Sequence, residues 1–151
     1  MGAGSQADEV RELAKGLFNE TWALLEKQGR TPDEDLQMLH MAHASRFHWG
    51  QVGTAENRCI GEWQVSRVYA VLARAEPALF HAERCMDLCR REGFEGWKLA
   101  YAHEALARAH RLAGDLDSYR HHLRRGEEIL GTITDPEERE LLEADLTTLR
   151  E

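Results

Sequence analysis

Apolar residues in this chain recur at intervals of three and four, the spacing that places them on one side of an α-helix. Val10, Leu13, Leu17, Leu24 and Leu25 form one such series. Val65, Val68, Tyr69 and Leu72 form a second, and Leu99, Ala102, Leu106 and Ala109 a third. No stretch alternates with the period of two that a half-buried strand requires. The pattern predicts an all-α fold with helices over 8–28, 32–49, 54–75, 77–92, 96–113, 116–130 and 136–150. Pro32, Pro77 and Pro136 each stand at a predicted helix start. A first-turn N–H has no intrahelical partner, so its loss there costs little.

The polar breaks "GRT", "GQVG", "EGFEG" and "AGD" are short. Short connections force consecutive helices to lie antiparallel, which predicts three helical hairpins and a closing helix. The hairpins also repeat. A shift of 41 residues superimposes Trp22 on Trp63, Gln28 on Tyr69 and His110, and Met41 on Ala82 and Leu123. It also aligns Ala44 with Cys85 and Gly126, and Phe47 with Leu88 and Ile129. Units of this kind cannot bury their apolar faces alone and must stack on one another.

Two segments carry a family resemblance. "HRLAGDLDSY", from His110 to Tyr119, places His110 where an aromatic residue precedes a Gly-Asp turn, with Gly114 in the turn. "YAVLARAEPALFHA" sets Tyr69, Ala73, Ala78 and Ala82 on the same spacing. In these features residues 8–130 resemble the tetratricopeptide-repeat family, with a period of 41 in place of about 34. The resemblance implies three antiparallel hairpins stacked as a short right-handed superhelix, with a C-terminal capping helix.

In that family the first helices of the hairpins line a concave surface that holds a protein segment or peptide. Carried over through Tyr69 and His110, this register implies Trp63, Arg67, Tyr101, Glu104 and Arg108 as groove residues. Asn19, Trp22 and Glu26 occupy the matching places of the first hairpin. Aromatic and arginine side chains suit that role because they combine contact area with directional bonding. Arg67 or Arg108 could hold a carboxylate through two parallel hydrogen bonds. The competing reading packs Trp22 and Trp63 between hairpins and makes Glu104 and Arg108 a surface ion pair worth only ~0.3–0.5 kcal/mol. Asn57 and Gln64, beside the small Gly61, either admit a ligand or let helices approach closely.

Charge narrows the partner. The net charge of −8 argues against a dedicated nucleic-acid binder, which carries a basic face. No apolar run approaches the ~20 residues that cross a membrane. Residues 1–10 lack the basic start and apolar stretch of a secretion signal. Gly2 would need Ser or Thr at position 6 for acylation, and Gln6 stands there. Residues 1–7 read as a flexible leader to one domain over 8–151. Three cysteines, an odd number, point to free thiols in a reducing, cytoplasmic setting.

The remaining chemistry is histidine. "LHMAHASRFHWG" holds His40, His43 and His48, but His48 lies about 140° round the helix from His43, so the three cannot converge on one ion. The segment reads as a packed helix end, with Phe47 inside and Trp49 covering the hairpin. His40, His81 and His122 recur at the 41-residue interval and would form a row across stacked hairpins. His81, Cys85 and Cys89 make a stripe along one helix, and thiolate with imidazole suits zinc. Neither spacing is a recognised ligand motif. His103, Glu104 and His110 imitate a metalloprotease motif, yet their histidines are seven apart where four is needed.

No nucleophile elbow, phosphate-binding glycine loop or paired-cysteine motif is present. The expectation is therefore a non-catalytic protein–protein interaction module without a cofactor. The alternative is a small-ligand or metal-binding protein using the His40, His81 and His122 row with Cys85. A short stack exposes two end faces that only the first helix (Val10, Leu13) and the last (Leu141, Leu142, Leu146) can cap, which suggests a homodimer.

Overall fold

The computed structural model describes residues 3–150. Among them the chain forms α1 (Ala3–Glu26), α2 (Pro32–Val52), α3 (Ala55–Val71), α4 (Ala75–Glu92), α5 (Trp97–Ala113), α6 (Leu116–Leu130) and α7 (Pro136–Thr147), with no strand. α1 starts at Ala3, so the leader expected over 1–7 is helical from residue 3, and Met1 and Gly2 lie outside the described residues. Among the described residues no helix is long and apolar enough to cross a membrane.

Local chemistry sets most helix ends. Thr31 accepts from the Glu34 N–H at 3.1 Å while the Glu34 carboxylate accepts from the Thr31 N–H at 3.0 Å, a reciprocal cap that fixes the start of α2 just ahead of Pro32. Thr54 and Asn57 do the same for α3. Gly93 and Gly114 end α4 and α5 in the left-handed region that glycine enters without a Cβ clash. The α3–α4 boundary departs from the pattern. The chain leaves the helix at Leu72, passes Ala73 at φ 62°, and re-enters at Ala75. Ala73 carries no sequence signal for that conformation, and Pro77 sits in the first turn of α4 rather than at its start.

Each helix packs against the next along the chain through α6. In addition α3 packs on α1 and α5, and α7 packs on α5 and α6. The core falls into three clusters. Met38, Ala42, Val65 and Val68 join α2 to α3. Cys59, Cys85, Met86, Leu88, Ala102 and Leu106 join α3, α4 and α5. Ala100, Ile129, Leu130, Leu142 and Leu146 join α5, α6 and α7.

One packing expectation is corrected. Phe47 is 62% exposed. The buried stripe of α2 runs through Met38, Ala42 and Ser45, and Phe47 lies two residues, about 200°, off it. Leu142 and Leu146 are fully buried against α5 and α6, while Leu141 and Leu13 are exposed.

Candidate functional site

α1, α3 and α5 together line a cavity of about 270 Å³. Phe18, Asn19 and Trp22 come from α1, Cys59, Ile60 and Trp63 from α3, and Trp97, Lys98 and Tyr101 from α5. Cys85 of α4 reaches the lining, and Leu141 and Asp145 of α7 border it. The lining follows the 41-residue repeat. Phe18 and Cys59, Asn19, Ile60 and Tyr101, and Trp22 and Trp63 stand one repeat apart. The aromatic rings touch in sequence: Trp22 to Trp63 at 5.6 Å, Trp63 to Tyr101 at 5.3 Å and Trp97 to Tyr101 at 6.5 Å between centroids.

Beside this cavity lies a closed charge network. Glu104 is fully buried. Its carboxylate accepts from Trp63 Nε1 at 2.7 Å, Arg67 Nη1 at 3.2 Å and Arg108 Nε at 2.9 Å. Asp145 of α7 accepts from the Tyr101 hydroxyl at 3.0 Å and from Arg67 Nη2 at 3.4 Å. Arg108 also donates to Thr148 Oγ1 at 2.8 Å. Burial first, and then the nearby Glu104 charge, raises the Asp145 carboxyl above its ordinary range. Burial and then Asp145 raise the Tyr101 phenol. Two guanidinium groups thus meet two carboxylates, and neither arginine is left to clamp an external carboxylate.

The implied groove residues divide accordingly. Trp22, Trp63 and Tyr101 line the cavity. Arg67 and Arg108 brace it from behind, and Glu104 faces inward instead of toward a partner. Glu26, at the end of α1, is exposed and outside the lining. Asn57 and Gln64 do not reach the cavity either. Asn57 caps α3, and Gln64 is buried with its Nε2 donating to the Phe18 carbonyl at 3.0 Å. Gly61 leaves room for Arg46, since a Cβ there would sit 2.9 Å from Arg46 Cδ. Trp97 and Asp145 escaped the sequence reading. Asp145 meets Arg67 across 78 residues, a separation at which no local pattern operates.

The histidines separate into two groups. His43 Nε2 lies 2.8 Å from the Tyr69 hydroxyl, and His81 stacks on Tyr69 at 5.8 Å. His81 Nδ1 is 2.9 Å from Glu62, whose other oxygen accepts from Arg46 Nε at 2.8 Å. Burial opposes ionisation of Glu62, but His81 and Arg46 outweigh it and lower its carboxyl. The second group sits between α5 and α6. His103 Nδ1 and His122 Nδ1 are 3.0 Å apart, and His110 stacks on His122 at 5.6 Å. Burial, with Arg125 acting on His103 and His103 acting on His122, pushes both imidazoles down to about 4. His40 is exposed at the surface of α2. Members of the expected row therefore join different neighbours. Among the described residues no group of three or more His, Cys, Asp and Glu side chains is placed to hold a metal ion.

All three cysteines are free and buried, and they meet. Cys59 Sγ lies 3.6 Å from Cys85 Sγ and 3.7 Å from Cys89 Sγ. Cys85 and Cys89 are a helical turn apart, so the sequence suggests their proximity. It gives no sign that Cys59, on another helix, completes the cluster. Hydrogen bonds from Cys59 and then Cys85 hold the Cys89 thiol below its ordinary range, whereas the same interactions and burial raise Cys85.

The arrangement offers an apolar, aromatic recess with its neighbouring charges already neutralised and thiols at its floor. No protein-family model, curated protein or solved structure matches the chain.

Proposed function

We propose that the chain is a non-catalytic interaction module of tetratricopeptide-like architecture that receives an apolar protein segment in the recess along α1, α3 and α5. In this reading α1–α2, α3–α4 and α5–α6 are antiparallel hairpins stacked as a short right-handed superhelix, and α7 caps it. The short connections, the order of helix packing and the recurrence of lining positions every 41 residues support that arrangement. Free thiols at all three cysteines support a reducing, cytoplasmic setting.

The observation that carries the functional reading is the aromatic cavity on the face where the repeat register puts a peptide groove. Because Arg67 and Arg108 are bonded to Glu104 and Asp145, an acidic anchor would find no free counter-charge there. Lys98, at the rim, is paired with Glu56 at 2.6 Å. The recess therefore favours aromatic or aliphatic side chains over the carboxylate that the arginines alone suggested. An apolar cavity of about 150 Å³ accommodates one benzene, so about 270 Å³ suits one large side chain or two small ones.

A peptide array probed with the purified protein tests this, using twelve-residue peptides that vary at the central positions. Retention should follow central Trp, Phe, Leu or Met, and Trp22→Ala should reduce it at least tenfold with an unchanged helical signal. Trp22 suits the test because its ring packs on Trp63 while it makes no bond to Glu104 or Asp145 itself. Selection of acidic peptides, or indifference to Trp22→Ala, would sink the proposal. A second reading, a small uncharged apolar ligand, is favoured by Leu141 and Asp145 of α7 bordering one side of the recess. Saturable quenching of tryptophan emission by a two-ring hydrocarbon, without peptide retention, would select it. The exposed Leu13 and Leu141 also keep a homodimer among the proposals, to be read from sedimentation.

A further inference from the structure

The thiol cluster is unused by that reading. A peptide or ligand needs apolar walls, and alanine or valine would supply them at positions 59, 85 and 89. Instead every cysteine of the chain gathers at one place, brought from two helices that pack against each other. Cys59 on α3 is the hub, within 3.7 Å of both α4 sulfurs. Cys59 and Cys85 both line the cavity, so a small solute entering the recess meets sulfur at its floor. The sulfurs are not arranged with other ligands around a metal position. Their separation is within about 1.7 Å of the ~2.05 Å disulfide bond.

We propose that this cluster is an oxidation site at which Cys59 closes a disulfide onto Cys89 when a hydroperoxide enters the cavity. Cys59, which faces the cavity, passes its proton to the Cys89 thiolate, and the Cys59 thiolate so formed attacks the outer peroxide oxygen. An S–O bond forms, the O–O bond breaks, and the departing oxygen takes that proton from Cys89 to leave as an alcohol or water. The Cys89 thiolate then attacks the Cys59 sulfur. The S–S bond forms, the S–O bond breaks, and hydroxide leaves to take a proton from solvent. Two sulfurs are oxidised and one peroxide is reduced. Hydrogen bonds from Cys59 and Cys85, with the Lys98 charge nearby, hold Cys89 as the thiolate that activates Cys59. Cys85 lies on the same helix as Cys89 and serves as a donor, not a resolving thiol. Trp63 packs against the cluster, so closure at the floor changes its surroundings.

The test uses the intact, reduced protein treated with equimolar hydrogen peroxide, quenched with an alkylating agent and digested with trypsin. Cleavage after Arg58, Arg67, Arg84 and Arg90 puts Cys59 in one peptide and Cys85 with Cys89 in another. The wild type should yield these two peptides linked, with two hydrogens lost. The link should survive Cys85→Ser and vanish in Cys89→Ser. In Cys89→Ser, checked for native helicity, it should give way to a Cys59 sulfenic acid captured by dimedone. If Cys89→Ser fails to fold, the wild-type and Cys85→Ser maps decide alone. A disulfide between Cys85 and Cys89, a link that survives Cys89→Ser, or thiols that oxidise only in urea would each overturn the proposal. It stands independently of what occupies the recess, because the mapping needs no partner.

Discussion

Consecutive residues of α3 and α5 face two different chemistries. On α3, Glu62 turns to Arg46 and His81, whereas Trp63 turns to Glu104. On α5, His103 turns to His122, whereas Glu104 turns to Trp63, Arg67 and Arg108. Glu62 and His103 stand one 41-residue repeat apart, as do Trp63 and Glu104. The repeat thus conserves the direction in which a side chain points but not its chemistry. On the recess side, permanent charges are bonded to each other and withdrawn from solvent. On the opposite side, imidazoles mediate the contacts, and burial keeps those of His43, His103 and His122 from taking a proton until the solution is acidic. One side is built to stay fixed with pH, and the other is not.

The largest test of that contrast deletes one carboxylate from each side. Glu104→Ala removes the shared acceptor of Trp63, Arg67 and Arg108 and leaves two guanidinium groups, 15% and 18% exposed, competing for Asp145. Breaking a buried pair in this way costs about 3–5 kcal/mol. Glu62→Ala should cost less, about 1–2 kcal/mol, because Arg46 is 27% exposed and can turn to water. Urea unfolding at pH 7 measures both. Equal losses would mean that the recess network holds no privileged position.

Acid titration comes next in size. In the folded chain His103 and His122 are held near 4, against 6.5 for an unperturbed imidazole. Between those values the unfolded chain binds protons that the folded chain refuses. Stability is therefore complete above about pH 6.5 and falls as the pH drops toward 4. The two rings share one Nδ1-to-Nδ1 bond, which needs one protonated and one bare nitrogen, so both cannot become imidazolium and keep it. Their combined effect is on the order of 3 kcal/mol, below the sum for two independent rings. His122→Phe should retain stacking on His110 and flatten this acid limb. An unchanged slope in that variant would assign the pH dependence elsewhere.

These two sides were unequally legible in the sequence. The helices were visible because apolar spacing, caps and prolines act over a few residues, and 116–130 matches α6 at both ends. The α3–α4 break was obscured because Ala73 takes a left-handed conformation with no glycine to announce it. In the recess, Trp22, Trp63 and Tyr101 came from the repeat register and do line one cavity. Register could not tell that Glu104 faces inward, because periodicity specifies a face and not the partner lying across it. Asp145 and Cys59 were beyond reach for a related reason. Their contacts exist only once residues 26 to 78 positions apart are brought together.

The smallest expected effect is the sharpest probe, since it performs one operation on both sides. Trp63→Phe keeps an aromatic ring beside Trp22 and Tyr101 but deletes the N–H that bonds Glu104. Tyr69→Phe keeps the ring that stacks on His81 but deletes the hydroxyl at His43. A bond to a charged group contributes about 1.5–3 kcal/mol, and one between neutral groups about 0.5–1.5 kcal/mol. At pH 7 the Trp63 loss should thus exceed the Tyr69 loss by roughly twofold. The two should also respond differently to acid. Burial and the neighbouring His81 lower His43, so its ring is neutral at pH 7 and acquires a proton only in more acidic solution. Once it is charged, both ring nitrogens donate, and the Tyr69 hydroxyl is the acceptor. Tyr69→Phe should consequently change in cost as the pH falls, whereas the cost of Trp63→Phe should hold until the carboxylates titrate. Parallel pH profiles for the two variants would show that the division between a fixed side and a titrating side is not how this molecule distributes its stability.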